Sequence, residues 1–466
     1  MSTVLAAPQL DDAPDSVRSS VPPAPRTLAE TGISQEAIVD LLLKTLYVQG
    51  ARTGQQLSDF IALPFDLLDE LLLPLQQRRF VEVRGTAGTG RVAYVFDITG
   101  AGRERAREAM ELNQYVGPAP VPLWQYRTWL DAQTIRDLHV TRGAIVDGFR
   151  DMVISHEVFE ELGPAINSAK SIFLFGDPGN GKTMIAECIA RMIGGSMYVP
   201  HAIEMDGQVI LVYDPVYHRH PEDPADGPAD GPADGGGMSS IWRRVEVEHD
   251  RRFVRVRRPV VVAGGELTLD QLDLRYDPAT KVYQAPFQMK ANGGVLIIDD
   301  FGRQRVPPRD LLNRWIVPLE KRTDYLALHT GSKFPVPFDC LLVFATNLDP
   351  MQLVDEAFLR RIHYKINVNS PGRDDFTEIF RRVCAAMGVP FDPAAVEFLY
   401  RHYYHSGRVA PRACHPRDIV DHVRDVARYR GVPASLTDEL MDAACRSYFI
   451  ELSDAPDTVR TQAVPC

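Results

Sequence analysis

The chain has 466 residues, of which 45% are hydrophobic and 24% are charged. This length exceeds what one hydrophobic core usually serves, so two or three domains are expected, and the composition is typical of a soluble globular protein. The net charge of −11 argues against a surface that binds polyanions generally, although it leaves room for a local basic patch.

Cysteine usage and the N-terminal residues indicate a cytoplasmic protein. The six cysteines form no Cys-x-x-Cys pair, and the chain is far larger than disulfide-stapled domains, so reduced thiols are expected. The N-terminus has neither a basic start nor a long apolar stretch, which predicts no signal peptide and no membrane span. No set of four ligands has zinc spacing around His218, His220, Cys414 and His415.

The first part of the chain divides into a tail and a compact unit. Residues 1–28 are rich in Pro, Ala, Ser and Asp, which predicts a flexible tail. Residues 29–112 show helical periodicity and then two β-rich runs around a glycine-rich turn. The predicted elements are helices at Ser34–Tyr47, from Thr53 and at Pro64–Arg79, and strands at Phe80–Val83 and Val92–Phe96. Three helices and a two-stranded wing resemble a winged-helix domain.

The third predicted helix bears on what this unit binds. A winged helix that reads DNA places its third helix in the major groove, where basic or amide side chains are needed. Here the helix carries Asp66, Asp69 and Glu70, which would repel phosphates. A protein-interaction module is therefore favoured. Weak nucleic-acid contact stays open through four arginines nearby, Arg78, Arg79, Arg84 and Arg91.

A linker and a helical stretch lead to the next domain. Residues 113–135 are rich in proline and aromatic residues, which suits a stiff linker lying against a neighbouring domain. Thr141–Leu162 has a helical pattern and precedes an apolar strand at Ser171–Phe175.

A glycine-rich run follows this strand and opens a helix. Its glycines let backbone N–H groups curl round a phosphate, and the helix adds the positive end of its dipole. Lys182 would reach the β- and γ-phosphates, and Thr183 would supply a hydroxyl to Mg²⁺. The sequence therefore predicts a phosphate-binding loop at Gly176, Asp177, Pro178, Gly179, Asn180, Gly181, Lys182 and Thr183.

Residues 205–290 are interpreted as a β-rich insertion. Met205–Tyr217 alternates as a strand, and the acidic Pro/Gly-rich run within 221–237 predicts flexibility. Arg251–Arg258 predicts an arginine-rich strand with Val254 and Val256 on one face. The other face would present Phe253, Arg255 and Arg257, with Trp242 nearby. This basic face could grip nucleic acid, bind an acidic protein or neutralise the acidic run beside it, and the sequence leaves these readings open.

Polar residues follow two further apolar strands. Gly294–Ile298 predicts a buried parallel strand, and Asp299 and Asp300 emerge at its carboxyl end, where open α/β sheets place ligands. Asp299 would hold Mg²⁺, and Asp300 would orient or deprotonate the attacking water. The second strand, Leu341–Thr346, is followed by Asn347, whose amide could bind the γ-phosphate or that water.

The order of these motifs is continued by the paired arginines Arg360 and Arg361 and by Arg417, which opens a late helix. Together they resemble the AAA+ ATPase superfamily over about residues 136–450. The resemblance implies that Arg360 and Arg361 lie where arginine fingers reach into a neighbouring subunit, and that Arg417 lies where sensor 2 lies.

The same resemblance implies roles for the other motifs. The glycine-rich run matches Walker A, Asp299 and Asp300 match Walker B, and Asn347 matches sensor 1. ATP and Mg²⁺ are the implied ligands, with Val153 and Ile154 near the adenine. The implied arrangement is an ATPase core at 136–372, a helical lid at 373–450 and a tail at 451–466, assembled as a hexameric ring.

One residue departs from the pattern of many AAA+ proteins. Many members have Asp-Glu in Walker B, whereas this chain has Asp299-Asp300, which resembles the DnaC-like helicase loaders. The side chain of Asp300 is one methylene shorter than glutamate. Glu320, in the helix after this strand, is a second candidate for activating water.

The predicted fold is thus α/β: a P-loop AAA+ core with a helical lid, an N-terminal winged-helix-like domain and an insertion between the Walker motifs. The leading functional hypothesis is an ATPase that remodels an unknown protein partner, as chaperones do. The alternatives are a nucleic-acid-linked ATPase, such as a transcription regulator or helicase loader, and a nucleotide-gated switch. The acidic third helix favours the remodelling ATPase. The arginine-rich strand leaves the nucleic-acid-linked ATPase open, and Asp300 in place of glutamate leaves the nucleotide-gated switch open.

Overall fold

The computed structural model describes residues 21–221, 249–350, 359–405 and 409–449. Almost all of the predicted flexible run at 221–237 lies outside these ranges, as do Trp242 and the predicted tail at 451–466. Within these ranges, no helix has the length and apolar character needed to cross a membrane.

Helices pack against a small antiparallel sheet in the N-terminal unit, residues 29–112. The first helix begins at an N-cap, because Ser34 accepts a hydrogen bond from the N–H of Ala37, and Thr53 forms a capping box with Gln56 at the second. The elements are α1 (Gln35–Gln49), β1 (Arg52–Thr53), α2 (Gly54–Ile61), α3 (Phe65–Gln77), β2 (Val81–Thr86), β3 (Tyr94–Ile98) and α4 (Gly100–Leu112). The sheet order is β1-β3-β2.

Two features of this region differ from the sequence analysis. Helix α4 was not predicted; it packs against α1, where Arg105 and Asp40 form an ion pair of 2.8 Å. The predicted flexible tail included residues 21–28, but Pro23 forms a β-bridge with His249 and Leu28 is buried. These residues are ordered because they contact the rest of the chain.

The predicted linker and helical stretch also have more structure than expected. The linker contains β4 (Val121–Pro122) and α5 (Leu123–Ala132). The predicted single helix at Thr141–Leu162 is two helices, and the second begins at a new N-cap, since Ser155 accepts a hydrogen bond from the N–H of Val158. The elements up to the predicted insertion are α6 (Arg142–Gly148), α7 (His156–Asn167), β5 (Ser171–Phe175) and α8 (Lys182–Met192).

Strands follow α8, and they begin before the predicted insertion boundary at residue 205. They are β6 (Ser196–Pro200), β7 (Ala202–Met205), β8 (Gln208–Leu211), β9 (Phe253–Arg257), β10 (Val260–Ala263), β11 (Arg275–Asp277) and β12 (Val282–Gln284), with α9 (Phe287–Lys290) after them. A mixed sheet has the order β11-β12-β8-β7-β4, so the linker strand is one of its edges. β6 and β9 form a separate antiparallel pair.

A parallel five-stranded sheet forms the centre of the molecule, which confirms a mixed α/β architecture with a parallel sheet. The elements are β13 (Val295–Ile298), α10 (Pro308–Lys321), β14 (Thr323–Ala327), β15 (Lys333–Pro337), β16 (Leu341–Thr346) and β17 (Tyr364–Asn367). The sheet order is β10-β13-β16-β5-β17, with parallel pairing throughout. All residues of β13 and β16 are buried, as expected for strands covered on both faces. The predicted insertion at 205–290 therefore needs a correction, because β10 lies inside it yet pairs with β13.

The chain beyond β17 is helical, as the pattern of 373–450 predicts for the residues that the structure describes. Phe376 and Phe380 are fully buried, and α-helical packing around them forms a separate core. The helices are α11 (Arg373–Met387), α12 (Pro393–Leu399), α13 (His415–Arg430) and α14 (Asp438–Tyr448). We refer to residues 373–449 as the lid.

The arginine-rich strand does not have the basic exposed face that was predicted. Phe253 and Val256 are both buried in the core around β6 and β9, so the expected alternation of Val254 and Val256 against Phe253 is wrong. Phe253 cannot stack on a nucleic-acid base while it is buried there. Arg255 is exposed, and its Nε donates a hydrogen bond to Ser196 Oγ at 3.0 Å.

The neighbouring arginines are taken up by contacts within the chain. Arg251 forms an ion pair of 2.8 Å with Asp59 in the N-terminal unit. Arg258 donates hydrogen bonds to the carbonyl oxygens of Gly293 and Gln133. The arginine-rich strand is thus largely an attachment surface for other parts of this chain.

Arg252 forms the most buried of these attachments. Its side chain is 1% exposed and forms an ion pair of 2.7 Å with Asp250. Its guanidinium also donates to the carbonyl oxygen of Thr31 at 2.7 Å and to Gln125 Oε1 at 3.1 Å. A single buried cation therefore joins the N-terminal segment, the linker and the strand region, which fixes the N-terminal unit against the rest of the molecule.

We predict that Arg252→Met lowers the free energy of unfolding by about 3–5 kcal/mol, because it leaves Asp250 as an uncompensated buried charge. Chemical denaturation followed by circular dichroism measures this change. The matched control is Arg255→Met, an exposed arginine on the same strand, for which a change within about 0.5 kcal/mol is expected. The double variant Arg252→Met/Asp250→Leu should recover part of the loss; equal effects of Arg252→Met and Arg255→Met would contradict the assignment.

Candidate active site

The glycine-rich run forms a loop between β5 and α8. Gly176, Gly179 and Gly181 have φ values of +137°, +83° and +83°, which side chains other than glycine rarely adopt. Lys182 is the first residue of α8, and its Nζ donates to the carbonyl oxygens of Gly176 at 2.9 Å and Asp177 at 2.7 Å. Burial lowers the pKa of the Lys182 ammonium. The loop therefore places a partly desolvated cation at the N-terminus of a helix, as an anion site requires.

Thr183 and Asp299 face each other across the ends of α8 and β13. The Thr183 hydroxyl lies 3.1 Å and 3.0 Å from the two carboxylate oxygens of Asp299, to which it donates. A hydroxyl and a carboxylate are oxygen ligands of the kind that Mg²⁺ prefers, and Mg²⁺ is usually held by one or two such groups together with substrate phosphates. The pair fits the predicted metal role. No cluster of three or more His, Cys, Asp or Glu side chains suited to a metal occurs in the described part of the chain.

Asp300 and Asn347 meet at the ends of β13 and β16. Asp300 has a left-handed φ of +48°, a conformation that aspartate tolerates better than most side chains. The Nδ2 of Asn347 donates to Asp300 Oδ1 at 3.3 Å. The N–H of Phe301 also donates to the carbonyl oxygen of Ala345, so the two strand ends are joined through backbone as well. The exposed carboxylate of Asp300 is thereby aimed beside the Asn347 amide.

The lid closes the other side of the phosphate loop. The N–H of Cys414 donates to the carbonyl oxygen of Gly179 at 2.9 Å, and the N–H of Ala413 donates to Asn180 Oδ1 at 3.4 Å. Arg417 lies one helical turn further along α13. These contacts bring the late helix, which is distant in sequence, onto the glycine-rich run.

Together these elements enclose a cavity of about 520 Å³, a size suited to a small ligand. Its lining contains Asp151, Met152, Val153, Asp299, Asp300, Asn347, Ile379, Arg382, Val383, Ala413, Cys414, Arg417, Asp418 and residues 179–184 and 345–346. The lining combines charged side chains with apolar ones, the latter including Met152, Val153, Ile379 and Val383. Of the two residues expected near adenine, Val153 lines the cavity, whereas Ile154 packs against the core.

Arg360 and Arg361 lie in a second, separate cleft. This cleft of about 640 Å³ is lined by Lys170, Leu319, Glu320, Arg322, Arg360, Arg361 and His363. Arg361 Nε and Glu320 Oε1 form an ion pair of 2.5 Å. The structure therefore brings all of the predicted site residues into one cavity except Gly176, Asp177 and Pro178 of the loop and the two arginines. Glu320, the second water-activating candidate, lines the arginine cleft and not the cavity that contains Asp300.

Some residues of the cavity were not found by the sequence analysis. Arg382 of α11 donates to the carbonyl oxygen of Arg150 at 2.6 Å and forms an ion pair with Glu378, so it holds the lid against the loop at residues 150–153. Asp151 and Cys414 also line the cavity. No local pattern distinguishes these side chains from ordinary surface and core residues, and only the folded arrangement places them here.

A family model described as a domain of unknown function, DUF8689, matches residues 372–447, which are nearly all of the lid. No curated protein matches the chain. The match to the lid is to a family whose function is itself undefined.

Similar solved structures include a mutant of RuvB from Thermotoga maritima, at 15% identity and a TM-score of 0.36, over 64% of this chain and 71% of that chain. NtrX from Brucella abortus in complex with ATP is similar at 16% identity and a TM-score of 0.37, over 65% of this chain and 59% of that chain. NtrX with ADP has 14% identity and the same TM-score, over 73% and 65% of the two chains. At these TM-scores the likenesses define neither a family nor a function for this chain.

Proposed function

We propose that this protein is an AAA+ ATPase that hydrolyses ATP in an oligomeric ring and uses the energy to remodel a protein partner. The observation that carries the proposal is the convergence of the phosphate loop, the Thr183–Asp299 pair and the Asp300–Asn347 pair on one cavity. Each of these groups leaves the carboxyl end of a strand in the parallel sheet, which is where open α/β sheets bind ligands.

The proposed chemistry assigns one task to each group. Lys182 and the loop N–H groups bind the β- and γ-phosphates, and the apolar lining residues of the cavity contact the base. Asp300 and Asn347 position a water molecule, whose oxygen attacks the γ-phosphorus as the bond to the bridging oxygen of ADP breaks. Asp300 accepts the proton that the water loses. Thr183 and Asp299 would hold Mg²⁺, which would neutralise part of the phosphate charge.

The separate arginine cleft supports assembly. Arg360 and Arg361 line a cleft that shares no lining residue with the nucleotide cavity. Arginines that stabilise the transferred phosphoryl group must touch it. We therefore assign Arg360 and Arg361 to the nucleotide site of a neighbouring copy, and Arg417 to the site of its own chain.

A protein partner is favoured over nucleic acid by the pairing of basic side chains. On the wing, Arg84 lies 2.8 Å from Asp97, and Arg91 lies 2.8 Å from Asp69. Arginines that are already matched to carboxylates have less free charge for phosphate contacts. The acidic side chains of α3 also disfavour contacts with nucleic-acid phosphates.

The site assignment predicts a split between binding and turnover. Lys182→Ala should abolish ATP binding measured by calorimetry, while Asp300→Asn should retain binding and reduce ATP hydrolysis by about 100-fold or more, since it removes the proton acceptor. The matched controls are Lys333→Ala and Asp270→Asn, substitutions of exposed residues. They should change neither ATP affinity nor the rate of ATP hydrolysis. Normal turnover by Asp300→Asn would exclude this residue as the base, and binding without any turnover by the wild type would indicate a nucleotide-gated switch.

The assembly assignment predicts complementation between defective copies. Arg360→Ala should bind ATP normally but lose hydrolysis by about 1,000-fold, the effect expected of an arginine that acts from a neighbouring subunit. Mixing Arg360→Ala protein with Lys182→Ala protein should restore activity, because one copy supplies an intact cavity and the other an intact arginine. The control mixture pairs Arg360→Ala with the double variant Arg360→Ala/Lys182→Ala, which supplies no arginine. Equal activity of the two mixtures would assign Arg360 to its own site.

A further inference from the structure

The loop that leads into α13 approaches the phosphate loop unusually closely. A Cβ atom placed on Gly179 would stand 2.5 Å from Cys414 Sγ and 3.6 Å from Arg412 Cδ. The hydrogen bond from the N–H of Cys414 to the carbonyl oxygen of Gly179 holds the two loops together. The Arg412 side chain therefore lies beside Gly179, a residue that lines the nucleotide cavity.

The guanidinium of Arg412 has no ion-pair partner in the described part of the chain. Its Nε is buried and has no hydrogen-bond partner, and no carboxylate of a described residue forms an ion pair with it. A buried N–H of a charged group that makes no hydrogen bond is costly, more so than a neutral one. Arg258 Nε is also buried without a hydrogen-bond partner, but the Arg258 Nη atoms donate to the carbonyl oxygens of Gly293 and Gln133, whereas the Arg412 side chain makes no hydrogen bond to a described residue. The charge of Arg412 thus lacks an anion.

Arg412 also stands near a second cation. Burial lowers the pKa of Lys182, and the positive charge of Arg412 acts in the same direction, while Asp177, Asp299 and Asp300 act against it. Two cations that flank the same glycine-rich loop repel each other until an anion lies between them. The nucleotide site is where such an anion would bind.

We propose that Arg412 binds phosphate oxygens of the nucleotide, as a second lid arginine besides Arg417. This rests on the proposed function, because it takes the phosphate chain of a nucleoside triphosphate as the ligand. The lid would then be drawn onto the phosphate loop by charge as well as by the Cys414 and Ala413 hydrogen bonds. Arg412 belongs to a segment that the sequence motifs did not include.

The test compares Arg412→Gln with the wild type for three probes: ATP, inorganic triphosphate and adenosine. Loss of a charge-assisted phosphate contact should weaken ATP and inorganic triphosphate by about 10–100-fold each and leave adenosine unchanged. Affinities are measured by competition against a fluorescent ATP analogue. Arg428→Gln, an exposed arginine of α13, is the matched control and should bind all three probes like the wild type.

Several outcomes would overturn the proposal. Undiminished binding of inorganic triphosphate by Arg412→Gln would do so, and so would an equal loss for adenosine, which would mean a purely structural role. If Arg412→Gln does not fold, Arg412→Met, which fills the same buried space, takes its place under the same criteria. Failure of the proposed function gives a different result. Wild-type protein that binds inorganic triphosphate through Arg412 but does not bind ATP would refute the ATPase and keep the phosphate contact. Wild-type protein that binds neither inorganic triphosphate nor ATP would refute both the ATPase and the phosphate contact.

Discussion

The candidate site depends on the parallel register of three neighbouring strands. Ile298 of β13 lies opposite Phe344 of β16, and Thr346 of β16 lies opposite Phe175 of β5. Because the strands run in the same direction, the residues that follow them emerge at one edge of the sheet. A shift of one residue in any strand would turn its buried side chains to the other face, so the packed cores on both faces fix the register. The register in turn sets the spacing between the carboxylates and the phosphate loop.

A second constraint is the absence of a side chain at Gly179. Its φ of +83° and its closeness to Cys414 would make any larger residue both strained and crowded. The same glycine therefore serves the phosphate loop and the contact with the lid. Since a ligand on the phosphate loop would touch residues that also touch the lid, nucleotide occupancy and lid position are expected to be coupled. Such coupling would link the proposed ATP hydrolysis to movement of the lid.

Local patterns predicted the parts of the structure that local chemistry determines. The glycine-rich loop, the strand before Asp299 and Asp300, and the helix opened by Thr53 all lie where the sequence placed them. Long-range packing decided the rest. Val260–Ala263 is a short apolar run that a β-rich insertion would also contain, and only its pairing with β13 makes it part of the central sheet. From the sequence alone, Arg252 cannot be distinguished from the many surface arginines, and only the fold buries it beside Asp250.

The most direct test of the account is whether a nucleotide shields the lid residue that touches the phosphate loop. Cys414 lines the cavity, and burial raises the pKa of its thiol, so modification with N-ethylmaleimide is best followed at mildly alkaline pH by mass spectrometry of its peptide. Saturating Mg-ATP should strongly slow the modification of Cys414 in the wild type and leave its rate unchanged in Lys182→Ala. Equal rates of Cys414 modification in wild-type protein with and without Mg-ATP, under conditions where ATP is bound, would contradict a site shared by the phosphate loop and the lid.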